Sequence, residues 1–108
     1  MGFRMTSETR YAVAIKSNGI CICGKLITPD TLQIAHKIHK GRQAEKYIIK
    51  YLDRKHGKIY SRKWISDNIL ENPMNLVAVC SPACNDSQNL FFKPIARDEL
   101  IDEIMESL

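Results

Sequence analysis

Aromatic residues are scarce in this chain, at 7% of 108 positions, and long apolar runs are missing altogether. No window approaches the roughly 18 consecutive apolar residues that a spanning helix needs, so no helical membrane span is expected. The opening residues, Met1-Gly2-Phe3-Arg4-Met5-Thr6-Ser7-Glu8, lack the hydrophobic core of a signal peptide, and a cytoplasmic location is the expectation. With only five glycines and four prolines there is no low-complexity tract, repeat or linker, and we read residues 1–108 as one domain. An apolar fraction of 44% with so few rings supplies a modest core, and a domain of this size then leans on a second source of stability.

Four cysteines are that source. They fall in two tight pairs, Cys21-Ile22-Cys23-Gly24 and Cys80-Ser81-Pro82-Ala83-Cys84. In a reducing compartment such a cluster reads as a metal site in preference to a disulfide framework. Zinc favours tetrahedral thiolate coordination, and four thiolates close its shell, which makes the site structural. The first pair is Cys-x-Cys, a departure from the commoner Cys-x-x-Cys. A redox dithiol is the lesser reading, because no Cys-x-x-Cys opens a helix in a βαβ unit. A single ion bound by Cys21, Cys23, Cys80 and Cys84 would close a long loop and remove much chain freedom.

Charge is unevenly spread. The net value is +4, yet Lys37, Lys40, Arg42, Lys46, Lys50, Arg54, Lys55, Lys58, Arg62 and Lys63 face only Glu45 and Asp53 in the same stretch. The C-terminal segment reverses the balance with Asp98, Glu99, Asp102, Glu103 and Glu106. A basic block suits a polyanionic partner, while a solvated helix face is the plainer explanation.

Local patterns predict an α+β fold. Ser7 to Ser17 reads as a helix capped by Thr6 or Ser7, with Tyr11, Ala12 and Ile15 turned to the core and Asn18-Gly19 as its stop. Pro29-Asp30 marks a turn, and Leu32 to Ala35 reads as a short strand delivering His36. Tyr47, Ile48, Tyr51 and Leu52 form one stripe of a helix around Ala44 to Leu52, and Ser61 to Leu70 forms another helix before Asn72-Pro73. Tyr47, Tyr51 and Trp64 read as core. Asn75 to Val79 is the second strand, Asn85 opens the next helix, Phe91-Phe92 anchors it, and Ala96 to Ser107 ends the chain with its acids outward.

Three polar residues beside these pieces carry chemistry. Hydrolysing a phosphodiester needs a base to take a proton from water, and neutral imidazole, here His36, suits that task. It also needs a divalent cation, and magnesium asks for only one or two protein oxygens. Asn85, next to Cys84, could supply one. Asn75, just before the second strand, could bond backbone across the loop and hold His36 in place.

Taken together, Ala35-His36-Lys37-Ile38, Asn72-Pro73-Met74-Asn75-Leu76-Val77 and Cys80-Ser81-Pro82-Ala83-Cys84-Asn85 resemble the HNH (ββα-metal) endonuclease family, in particular its small zinc-bearing phage members. With the first cysteine pair the resemblance covers roughly residues 20 to 90. It implies a small ββα-metal core with a four-cysteine zinc site, flanking N- and C-terminal helices and a basic insert. It implies DNA as the partner, a bacterial or phage-infected cell as the setting, and magnesium or manganese as catalytic metal. His36 then takes the general-base position, Asn75 the loop-organising position and Asn85 the metal-ligand position. Two positions depart from the pattern. Ala35 stands where many members carry a metal-binding Asp, and His39 stands where many carry Pro. His39 could be the second ligand, the base or a phosphate contact, or a plain surface histidine. Among the basic residues, Lys37, Lys40, Arg42, Lys46, Lys50, Arg54, Lys55 and Arg62 are the candidate DNA contacts, mostly to phosphate. The alternatives are a non-catalytic zinc module that binds nucleic acid and a protein-interaction zinc domain. A homodimer would suit cleavage of both strands.

Overall fold

Two short runs, built mostly of small or branched apolar residues, find each other from distant parts of the chain. Gln33–His36 (β1) pairs antiparallel with Leu76–Val79 (β2), in the register Gln33 with Val79 and His36 with Leu76. These features come from a computed structural model that describes all residues except 1, 4, 5, 29, 88, 91 and 92, and leaves the side chains of 85–87 undescribed. The expected Pro29 turn, the Phe91-Phe92 anchor and the side chain of Asn85 therefore lie outside the described residues.

The N-terminal helix α1 spans Ser7–Lys16, and Thr6 caps it by accepting from the Thr9 N–H at 3.1 Å. Its core-facing residue is not the expected stripe. Val13 is buried against Leu76 and Ala78 of β2, while Tyr11 and Ile15 are 70% and 57% exposed. The strand pair is too small to cover a whole helical face, so one residue docks and its neighbours meet water.

The basic segment forms α2, Arg42–His56, closed at its C-terminus by Gly57 in the left-handed region (φ 67°). Ile48, Tyr51 and Leu52 are buried on one stripe, as the periodicity predicts. A short helix α3, Arg62–Ile65, capped by Ser61, runs directly into a π-type turn over Ser66–Leu70, closed by the Glu71 N–H donating to Ser66 O at 2.9 Å. Helix α4, Pro82–Ser87, follows β2, and α5, Pro94–Ser107, ends the chain. Asn85 thus sits inside α4 and not at its start, because Pro82 supplies the first helical position. Pro94 likewise starts α5 ahead of Ala96.

The main core lies among α2, α3, the π-type turn and α5, and joins Ile38, Ile48, Leu52, Ile65, Ile69 and Leu70 to Leu100, Ile101 and Ile104. The acids of α5 do not all point outward. Asp98 accepts from the Tyr47 hydroxyl at 2.7 Å, and Asp102 accepts from Tyr51 at 2.9 Å and pairs with Lys55 at 2.7 Å. Part of the acidic tail therefore answers the basic helix from within the chain. Among the described residues no helix is long and apolar enough to cross a membrane.

Candidate metal centre and histidine site

The first cysteine pair sits on a tight loop held at its neck. Cys21 N–H donates to Lys25 O at 2.9 Å, and Ile27 N–H donates to Gly19 O at 2.7 Å. Gly24 turns the loop with φ 89°, a conformation that side chains oppose. The second pair lies at the end of β2 and within α4, where the Ser81 hydroxyl accepts from the Cys84 N–H at 3.3 Å. The loop and the strand end meet. All four sulfurs lie within 4.8 Å of one another, with Cys23 to Cys80 at 3.5 Å and Cys80 to Cys84 at 3.9 Å.

Those separations match a cation site. Zinc–sulfur bonds of about 2.3 Å in a tetrahedron place sulfurs roughly 3.8 Å apart, whereas a disulfide would bring a pair to about 2.05 Å. The Cys80 N–H also points at Cys21 Sγ, 3.4 Å away, as backbone does around thiolates. Burial acts to raise the Cys21 thiol, but N–H groups of Cys23 and Cys80 and the adjoining thiols bring it down to about 6. The hydrogen bond with Cys23, then burial, pushes Cys80 up to about 12. A divalent ion bound there would let all four sulfurs ionise. Cys21, Cys23, Cys80 and Cys84 thus form a cluster that could hold a metal ion such as zinc.

Beside the cluster, Ala35 and Val79 are buried with Cys21, so position 35 presents a packed methyl and no polar atom of its side chain. The next residue, His36, faces the other way. Its Nε2 lies 2.7 Å from Glu71 Oε1, and Lys40 Nζ reaches the same oxygen at 2.9 Å. The His36 and Glu71 side chains are 21% and 11% exposed, so the contact is largely screened from solvent. Burial acts to raise the Glu71 carboxyl, yet the hydrogen bonds from Lys40 and His36 outweigh it and hold the carboxyl below the usual range.

Asn75 is fully buried. Its Oδ1 accepts from the Ile38 N–H at 2.8 Å, and its Nδ2 donates to Ile38 O at 3.1 Å and Leu70 O at 2.9 Å. Lys37 N–H donates to Asn75 O at 2.7 Å, which extends the strand ladder by one bond. The chain leaving His36 is thereby locked by a single asparagine.

Other candidate residues separate into two groups. Arg62 is committed to Glu45 at 2.9 Å, Lys55 to Asp102 and Lys40 to Glu71. Lys37 is half-buried, and burial together with the charge of Lys16 lowers its ammonium below the usual lysine range. Arg42, Lys46, Lys50 and Arg54 recur every four residues on the exposed face of α2, and none has an ion-pair partner among the described residues. His39 lines an open cavity with Lys40, Arg42, Gln43 and Asn89. The backbone of Asn85 belongs to α4, one residue past Cys84.

Glu71 is the residue that sequence reasoning misses. Its only signal is an acid placed directly after the apolar pair Ile69-Leu70 and before Asn72-Pro73, and nothing local says which side chain it meets. No protein-family model, curated protein or solved structure matches this chain.

Proposed function

We propose that the protein is a DNA endonuclease of the HNH type, hydrolysing phosphodiester bonds with His36 as general base. The observation that carries this reading is the Asn75 clamp. A buried asparagine grips both backbone groups of Ile38, two residues past a partly exposed histidine at a strand end. Helix α4 packs on the same two strands and is tied to them through Cys84. Such an arrangement would hold one imidazole in a fixed place near a helix that carries Asn85. The cysteine cluster would bind zinc and act structurally.

The polyanion would lie along Arg42, Lys46, Lys50 and Arg54. At about 1.5 Å per residue this stripe runs roughly 18 Å, long enough to follow several phosphates. A catalytic magnesium or manganese ion would neutralise charge on the leaving oxygen. For that ion Asn85 is the donor the sequence offers, and Ala35 offers none.

The experiment is plasmid nicking by purified protein over a titration of magnesium and manganese. Wild type is expected to nick, and His36→Ala to lose cleavage by about 100-fold or more while DNA binding persists, in line with the usual contribution of a general base. Cleavage retained by His36→Ala would move the base elsewhere, first to His39. The second reading, a zinc module that binds nucleic acid without cutting it, is favoured by Ala35. Salt-dependent binding with no nicking in any divalent metal would establish that reading instead.

A further inference from the structure

We propose that Glu71 is a positioning residue for His36, fixing its neutral imidazole as the Nε2–H tautomer so that Nδ1 is the nitrogen presented to solvent and substrate. The catalytic consequence rests on the endonuclease reading, while the tautomer itself is independent of it.

The geometry assigns the roles. An ionised carboxylate only accepts, so a 2.7 Å contact between Glu71 Oε1 and His36 Nε2 demands that the ring nitrogen donate. Lys40, on the same oxygen at 2.9 Å, is a permanent donor and keeps Glu71 in its ionised, accept-only form. No described group bonds Nδ1, and the ring is 21% exposed, so this nitrogen is free to accept a proton from water. A base held by its far nitrogen is what proton abstraction requires, since the near one must keep its lone pair.

Both backbones at the contact are held by one side chain. Asn75 bonds Ile38 on the histidine's strand side and Leu70 O, the carbonyl immediately before Glu71. The π-type turn closes on Glu71 itself through its N–H to Ser66 O. Such turns are rare and concentrate at functional sites, because the extra residue re-aims the side chain that follows. A surface ion pair would carry little meaning, but this one is screened and its backbone is fixed on both sides.

Two readouts test it. Long-range proton–nitrogen correlation spectra at alkaline pH, on zinc-loaded protein, should show His36 of the wild type wholly as the Nε2–H tautomer. Glu71→Ala removes the acceptor altogether, so the tautomer should become mixed. In nicking assays the same variant should lose about 10- to 100-fold in kcat with KM for plasmid little changed, the range found for groups that orient a site residue. A native-like amide spectrum of Glu71→Ala would exclude misfolding, while Glu71→Gln, whose amide oxygen can still accept from Lys40 and His36, should keep the Nε2–H tautomer. A wild-type Nδ1–H tautomer, or a Glu71→Ala protein with tautomer and rate both unchanged, would overturn the assignment. Should the wild type fail to nick while the tautomer behaves as stated, the nuclease reading falls and the positioning by Glu71 stands.

Discussion

Around the strand pair the buried apolar residues are few and small: Val13, Leu76 and Ala78 on one face, and Cys21, Ala35 and Val79 on the other. Between α2, α3 and α5 the buried cluster runs continuously from Ile38 to Ile104 and consists of Ile and Leu side chains apart from Ala44 and Tyr51. The helical half holds itself by hydrophobic burial. The strand half has less to bury, six apolar side chains of which Cys21, Ala35 and Ala78 are small, and four thiols converge there instead. Exposed Tyr11, Ile15, Ile20, Ile22 and Leu26 belong to the strand half, and Ile59, Ile95 and Leu108 to the helical half. Between the halves lies a polar seam made by Asn75, His36 and Glu71.

Metal removal should divide the two halves most sharply. Structural zinc contributes on the order of 10 kcal/mol of apparent binding free energy at neutral pH, more than the net stability of many small domains. Chelation, or Cys80→Ser with Cys84→Ser, is expected to release one zinc per chain and to abolish amide protection across β1 and β2. The helix content and the fluorescence of Trp64, stacked on Tyr60 at 4.1 Å in the helical half, should largely remain. Circular dichroism and Trp64 emission followed during chelator titration measure this. A single step that erases both signals would show the halves to be one cooperative unit. Acid should mimic the chelator, because metal binding requires thiolates and is weakened as protons return to sulfur.

Legibility in the sequence follows the same division. Helix α2 is readable from its period and Gly57 stop, and the two strands from short apolar runs ending at polar residues. The cysteines announce their convergence by pairing. The α1 stripe misleads because amphipathic spacing says which residues share a face but not whether a surface exists to cover it; Tyr11 and Ile15 find none. The start of α4 is easily misplaced because proline reads as an interruption, yet Pro82 is a good first helical residue. The role of Glu71 depends on a π-type turn and on a strand residue 35 positions away, and neither leaves a local trace. Likewise Asp98 and Asp102 resemble solvent acids in the sequence, and only the packing of α5 against α2 gives them tyrosine partners.

Breaking the seam comes second in size. Asn75→Ala strips partners from the N–H and C=O of Ile38 and from Leu70 O, all in a buried setting. At about 1–3 kcal/mol per orphaned group, partly relieved by rearrangement, a loss of about 3 kcal/mol in urea unfolding is expected. Asn75→Asp should fare no better than Ala, because its second oxygen would face two carbonyls that need a donor. An Asp variant as stable as wild type would mean that the clamp's Nδ2 bonds contribute nothing.

The smallest effect concerns acid and the seam alone. Glu71 has its carboxyl lowered in the folded chain, since the bonds from Lys40 and His36 overcome the opposing influence of burial. The unfolded chain therefore binds this proton at higher pH than the folded one, and stability rises with pH between the two values. The contribution is complete above the ordinary Glu range and disappears as pH falls through the lowered folded value. Urea unfolding of zinc-loaded protein, followed by Trp64 emission from neutral pH into the acid range, should then show a steeper loss for wild type than for Glu71→Gln. The neutral amide has no proton to gain, so only that part of the slope should vanish, leaving the acid response of the thiolates in place. Parallel slopes for the two proteins would mean that Glu71 gains nothing from its partners on folding, and the seam would then rest on Asn75 alone.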